Sequence, residues 1–354
     1  MIDELSKLGI VNHVIVPVYS QQGHIVSPKE YVNCTACFKK IDRLFFHYKQ
    51  KKIIRYITQN YNVSEFDCIH AYTLFTDGNV ARVLSEQYGI PYIVAVRNTD
   101  VNTFFKYLLY LRNTGRKILN NASQILFLSE AYHRQVLDRY IFPGNKERVC
   151  KKCEIIPNGI DDYWLQHLFY NKNREETRKR LNKKVLKVLY VGGINKNKNI
   201  ELTIRAICHL KEIGWNISFS IIGNVQDRHL LSKICKNSFV RYEAAKKKEE
   251  LIHDYRQSDI FIMPSHTETF GLVYAEAMSQ GVPVIYTRHQ GFDGQFQEGM
   301  VGYAVSDRNV AELETAILRC VEQYEEMSKN AVKCAKRFSW QMICEQYNTL
   351  YRNI

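Results

Sequence analysis

One pattern restricts this chain more than any other: short apolar runs alternate with amphipathic stretches of helical period. The runs lie at 13–19, 67–72, 91–96, 124–129 and 153–158, with a second series at 185–193, 217–223, 238–242, 259–265 and 282–287. Most are apolar at successive positions, so both faces need cover, as in parallel strands under helices. Stretches such as "GNVARVLSEQYG" (78–89) and "NIELTIRAICHLKEIG" (199–214) supply the helices. Such alternation predicts an α/β protein with doubly wound parallel sheets. The polar segment "IDDYWLQHLFYNKNREETRKRLNKK" (160–184) separates the two series. Two domains are therefore expected, 1–160 and 161–336. A last helix in 337–354 either caps the second or crosses back to the first.

Bulk properties agree. A length of 354 residues accommodates two ordinary domains. No apolar run approaches the roughly 18 residues that span a bilayer. The start "MIDELSKLGI" lacks the basic and apolar regions of a signal peptide, so the cytoplasm is the default expectation. A formal net charge of +13 points to an anionic partner, without choosing among nucleic acid, lipid and sugar phosphate. Two CxxC pairs, Cys34/Cys37 and Cys150/Cys153, have zinc-ligand spacing. They stand more than 100 residues apart, and ordinary reduced cysteines are the plainer reading. His24, His70 and His133 are isolated and select no site.

The front of the first half is short. A doubly wound domain opens with strand, glycine turn and helix. Here residues 2–9 read as the end of a helix, and the first strand follows at 13–19. The expectation is a missing first strand, with a start about 15–25 residues upstream.

The stretch "PSHTETFGLVYAEAMSQGVPVIY" (264–286) carries the strongest chemistry. A strand ends at Pro264, and a helix is predicted from about 269–271 to Gln280, stopped by Gly281. Its N-terminus offers free N–H groups and a positive dipole end to an anion. Gly271 lets a ligand approach the backbone. Glu268 would repel phosphate, so it suits hydroxyls or a developing positive charge. Glu276 lies about two turns further along the helix. A nucleotide diphosphate-sugar, anionic in the middle and hydroxyl-rich at its ends, fits this layout. Ordinary helix-start and surface carboxylates fit the spacing too. A second stretch, "VLYVGGINKNKNIELTIRA" (188–206), puts Gly192, Gly193, Lys196 and Lys198 in one strand-to-helix turn. Glycines expose backbone N–H groups to phosphates, and lysines neutralise them.

These segments resemble the retaining GT-B glycosyltransferases of glycosyltransferase family 4. The resemblance rests on Glu268-x7-Glu276 with "FG" inside and "AEAMSQGVPVI" after it. It extends to "VGGINKNKN", to "IPNGID" (156–161) and to "RFSWQMICEQY" (337–347). It is specific over 150–354 and looser over 67–150. It implies two Rossmann-like domains facing a cleft, with acceptor on the first and donor on the second. It also implies that Glu268 contacts the donor sugar near the reacting centre and that Lys198 meets the donor phosphate. Phe270, Gly271 and Leu272 would lend backbone N–H groups, and Glu276 would hold ribose hydroxyls. Relatives usually carry arginine where Gly193 stands. Lys196 could substitute, though lysine has no guanidinium fork. Relatives also carry a histidine-glycine-x-acid element where this chain has Arg97, Asn98, Thr99 and Asp100. Arg97 could meet phosphate or an anionic acceptor, and Asp100 and Asn98 sugar hydroxyls. A helix cap by Asn98 or Asp100 is the alternative. Retention at the anomeric carbon, no bound metal, and a UDP-sugar rather than a GDP-sugar are likewise implied.

Residues 38–55, "FKKIDRLFFHYKQKKIIR", hold seven Lys/Arg and one acid among aromatic side chains. Such a segment suits an anionic membrane surface, and equally a helix with a solvated basic face. No DNA- or RNA-binding module is visible. The expected protein is a hexosyltransferase acting on a glycan or lipid-linked oligosaccharide acceptor in cell-surface polysaccharide synthesis. It would be cytoplasmic or peripheral on the inner membrane face. The alternative is a non-catalytic or partner-dependent subunit that binds sugar nucleotides in the same fold.

Overall fold

The computed structural model describes residues 1–19, 29–170 and 174–354, and His24 lies outside them. The described chain forms two compact units. The first comprises Met1–Leu128, His133–Ile156 and Cys344–Ile354; the second comprises Ser129–Tyr132 and Pro157–Ile343. The helix Trp340–Arg352 thus starts in the second unit and ends in the first. Among the described residues no helix is long and apolar enough to cross a membrane.

The first unit holds two parallel ladders. Strands β1 (Val14–Tyr19) and β2 (Val32–Phe38) pair with each other. Strands β3 (Ile69–Ala71), β4 (Tyr92–Val96), β5 (Gln124–Phe127) and β6 (Cys153–Ile155) follow in spatial order β3-β4-β5-β6. β4 is buried at every residue, which explains its unbroken apolar sequence. β2 was not predicted. Its sequence "VNCTACF" mixes polar and apolar residues and is no apolar run. Phe38 nevertheless enters a cluster with Ile53, Ile57, Val80 and Leu84, which packs the helices Phe46–Asn60 and Gly78–Tyr88 beside this ladder.

The second unit is one six-stranded parallel sheet. Its strands are β7 (Val185–Val191), β8 (Asn216–Ile222), β9 (Val240–Glu243), β10 (Ile260–Ile262), β11 (Val284–Thr287) and β12 (Gly302–Val305). Their order is β12-β11-β10-β7-β8-β9. β12, four residues led by glycine, is the second strand that sequence reading missed. The chain winds outward from β7 in one direction and then from β10 in the other. The β7/β10 boundary is therefore the switch point, where doubly wound sheets open a crevice at the strands' carboxyl ends. Buried Asp259 fixes this boundary. It accepts hydrogen bonds from both terminal nitrogens of Arg180 and, at 2.7 Å, from the Lys187 N–H. Removing one partner of such a pair costs about 3–5 kcal/mol.

Candidate active site

The carboxyl ends of β7 and β10 carry the two loops singled out in the sequence. After β7, Gly192 and Gly193 lead into a tight turn at Lys196–Lys198 and then the helix Ile200–Glu212. The backbones of neighbouring strand ends nearly touch here: a Cβ on Gly223, at φ +156°, would lie 1.9 Å from the Gly192 carbonyl oxygen. After β10, Pro264 and Ser265 end the strand, and the helix Leu272–Ser279 begins behind Gly271. Gly271 sits at φ +76°, and a Cβ there would meet the Tyr274 ring at 2.4 Å. Only glycine takes this place without strain.

Asn197 ties the two loops together. Its side chain donates to the Thr267 carbonyl at 2.9 Å and accepts from the Thr267 N–H at 3.1 Å and hydroxyl at 2.7 Å. Its carbonyl accepts from the His266 N–H at 2.8 Å. This juxtaposition brings Lys198 Nζ to 2.6 Å from Glu268 Oε2, although 70 residues separate them in the chain. Both side chains remain partly open to solvent, at 21% and 12%. The other Glu268 oxygen accepts from the Thr269 N–H at 3.0 Å. The Glu268 backbone is clamped as well. Its N–H donates to Gln290 Oε1 at 3.0 Å, and its carbonyl accepts from the Tyr132 hydroxyl at 2.6 Å.

Phe270 contributes its backbone to the turn, while its ring is buried against Phe338 and Phe292 at 5.5 and 5.9 Å. Burying such a ring stabilises the turn by about 2–3 kcal/mol. Leu272 is exposed at the first helical position. The amides of Phe270, Gly271 and Leu272 donate to no group among the described residues, as expected at a helix start. Glu276 lies on the same helix and accepts from the Tyr255 hydroxyl at 3.2 Å. Burial pushes its carboxyl up to about 7; the Tyr255 bond pulls the other way, and the Asp161 charge adds to the rise.

Lys196 is exposed on the turn. Gly193 has no side chain, and a Cβ there would meet Gln226 at 2.8 Å. Gln226 in turn accepts from the Asn195 amide at 2.7 Å. Beside the glycine pair lies a cavity of about 220 Å3, lined by Gly192, Gly193, Gly223, Gln226, Ala245 and Lys246.

The remaining predicted residues sit in the first unit. Arg97 is partly exposed, and its Nε donates to the Tyr72 carbonyl at 3.1 Å. Tyr72 stacks on His70, whose Nδ1 meets the Tyr351 hydroxyl at 2.6 Å. Burial and then the Arg97 charge depress the His70 imidazole to about 3, so it stays neutral. Asp100 corrects the expectation that it meets a sugar, whereas the alternative of a helix cap fits, since its carboxylate accepts from the Arg97 N–H at the start of the helical segment that begins at Asn98. Its carboxylate is enclosed, and it accepts from the backbone N–H groups of Arg97, Leu74 and Phe75 at 2.9, 3.0 and 3.2 Å. Burial raises it to about 6 against the pull of these bonds. It positions the loop after β3 and the start of the Arg97 segment.

Sequence reading missed Asn197, Gln226, Gln290, Tyr132 and Tyr255. Asn197 alone had a visible signal, since it stands between the two lysines of "NKNKN". The others come from distant segments with no motif around them. Among the described residues no three His, Cys, Asp or Glu side chains are arranged to hold a metal.

Comparison with known proteins covers nearly all of the chain. Residues 171–338 match the family described as "Glycosyl transferases group 1", and residues 1–163 match "Glycosyltransferase Family 4". An uncharacterized glycosyltransferase of Methanocaldococcus jannaschii is 25% identical, over 87% of this chain and 83% of its own. A D-inositol 3-phosphate glycosyltransferase of Acidothermus cellulolyticus is also 25% identical, over 81% and 67%. Among solved structures, sucrose-phosphate synthase from Thermosynechococcus elongatus superposes with a TM-score of 0.73 at 20% identity, covering 99% of this chain and 90% of that one. Anabaena HepE in complex with UDP gives 0.66 at 16% identity, with 91% and 86% covered.

Proposed function

Because the chain belongs to the glycosyltransferases of group 1 and family 4 and has the GT-B fold, we propose that it moves a sugar, with retention, from a nucleotide-diphosphate donor to a glycan or lipid-linked acceptor. The observation that carries this reading is the Lys198–Glu268 pair, 2.6 Å apart at the carboxyl ends of adjacent strands. A lysine and a carboxylate meeting at a switch point suit a ligand that is anionic at one atom and hydroxyl-rich at the next.

The donor domain is residues 161–336, and the acceptor side is residues 1–160. Lys198 and Lys196 neutralise the diphosphate, and the amides of Phe270, Gly271 and Leu272 add donors at the positive end of their helix. As the bond from anomeric carbon to phosphate oxygen breaks, negative charge grows on the leaving diphosphate. Preorganised donors aimed at that charge lower the barrier. Glu268, released from Lys198 as the lysine turns to phosphate, binds the sugar hydroxyls beside the oxocarbenium-like centre. Glu276 holds the ribose. The cavity beside Gly192 and Gly193 has room for a nucleobase. UDP is the preferred nucleotide, by analogy with HepE, which was solved with UDP and with UDP-glucose. No step requires a metal, since lysines and amides carry the leaving-group charge. Arg97 serves the acceptor side, where relatives carry their histidine element, and cell-surface polysaccharide synthesis on the inner membrane face is the proposed setting.

Thermal melting with UDP, GDP and ADP, on wild type and Glu276→Ala, tests the donor site. A nucleotide at 100 times its Kd adds about 2.7 kcal/mol of stability. The expected result is a clear upward shift with UDP that the variant loses. A folded wild type that shifts with none of the three overturns the donor site.

A further inference from the structure

We propose that residues 39–48 and 104–112 of the first unit together form one surface that docks on an anionic lipid bilayer. This deepens the acceptor side of the proposed function and rests on that reading only for what the docked enzyme would modify. The first segment is a tight turn, Lys40–Leu44, running into the helix Phe46–Asn60. The second spans the end of a helical turn at Asp100–Phe105 and the turn Leu109–Leu111.

Three observations combine. Leu44, Phe45, Tyr48, Tyr107, Leu109 and Tyr110 are each 54–73% exposed, and they account for six of the sixteen large hydrophobic residues exposed among the described residues. Scattered exposure is ordinary; clustering on two touching segments is not. The segments do touch: the Phe46 ring lies 6.2 Å from Phe104, which stacks on Phe75 at 4.8 Å. The exposed residues thus flank an aromatic seam, partly buried at Phe46 and Phe104 and fully buried at Phe75, that holds both segments to one core. The charge is one-sided. Residues 38–55 hold seven Lys/Arg against Asp42 alone, and residues 104–117 hold four Lys/Arg and no acid. Asp42 is itself buried and neutralised by Lys52 at 2.6 Å, so it does not oppose an anionic surface. Lys39, Lys40, Arg43 and Lys106 are exposed among the apolar side chains. Exposed apolar side chains interleaved with exposed cations match the interface of a bilayer rich in anionic headgroups, where the two attractions add. A neutral partner surface would leave these cations unpaired.

The test is vesicle co-sedimentation of the full chain. It uses vesicles of phosphatidylcholine alone and vesicles with about one third phosphatidylglycerol, at low and high salt. Binding only to the anionic vesicles, weakened by salt, is expected. Leu44→Ser with Phe45→Ser, and separately Tyr107→Ser with Leu109→Ser and Tyr110→Ser, should each weaken partition about tenfold or more. Lys39→Gln with Lys40→Gln and Arg43→Gln changes exposed side chains, of which Arg43 also lies over the Tyr19 ring at 5.8 Å, and should do the same. All variants should keep the wild-type melting point and its nucleotide shift. Equal binding to neutral vesicles, or none to either, overturns the proposal. So does loss confined to the 44–45 variant, which would reduce the surface to one segment. Concentration-dependent self-association abolished by these variants, without vesicle binding, would assign the patch to a second copy instead. The nucleotide shift reads the donor site alone, so the two proposals fail separately.

Discussion

The two units use their polar loops in opposite ways. In the second, loops 195–199 and 266–268 are tied by Asn197 and leave Lys198 and Glu268 facing each other, with solvent access. In the first, the loop from Arg97 spends its acid inward: Asp100 takes three backbone N–H groups and is closed off. Adjacent strands at a switch point let side chains of two loops converge on a ligand. A loop that must hold its own backbone together has fewer groups left for one. The likeness of the residue types, acid beside cation, hides this difference in the sequence.

Substitutions can break or sharpen the contrast. The largest effect is expected from Glu268→Gln and Lys198→Ala. Each should lower kcat/KM about a hundredfold or more in a sugar-transfer assay, with melting points near wild type. Asp259→Ala should cost about 3–5 kcal/mol in denaturant unfolding, because the Arg180 charge is left unpaired beside β10. Asp100→Ala should cost about 2–4 kcal/mol by orphaning buried N–H groups. If it instead lowered turnover at unchanged stability, the contrast between the units would collapse. Gly271→Ala should cost about 1–3 kcal/mol from the left-handed backbone, read as a lower melting point.

The smallest effect is a pH dependence. Burial holds the Glu276 carboxyl at about 7, above the ordinary 4.5, so the folded state binds its proton more tightly than the unfolded chain does. The stability this supplies is complete below 4.5 and is lost as pH rises through 7. Between about pH 5 and pH 8, wild type should therefore lose a few degrees more of melting temperature than Glu276→Gln. A parallel decline in both proteins would place the titration elsewhere.

The donor loops were legible because their information is local. Glu268, Gly271 and Glu276 lie within one turn and one helix, and Gly192, Gly193, Lys196 and Lys198 within one connection. The parallel strands were legible where burial on both faces leaves unbroken apolar runs, as in β4 and β11. β2 and β12 escaped because one is no continuous apolar run and the other is short and opens with glycine. Asp100 was misread as a sugar contact because burial is a tertiary property. Nothing in "RNTD" distinguishes an acid facing solvent from one folded under β3. Gln290 and Tyr132 were invisible for the same reason: each reaches Glu268 from more than 20 residues away.

The bonds of Asn197 also bear on how this protein could be recombined. Thr267 and His266 hang on one asparagine in the neighbouring loop, so the two loops form a matched lock. Exchanging either loop for one that lacks the matching groups would break these bonds. A chimera that imports both keeps the spacing of lysine and carboxylate. The heritable module is therefore a pair of distant segments, not a contiguous stretch.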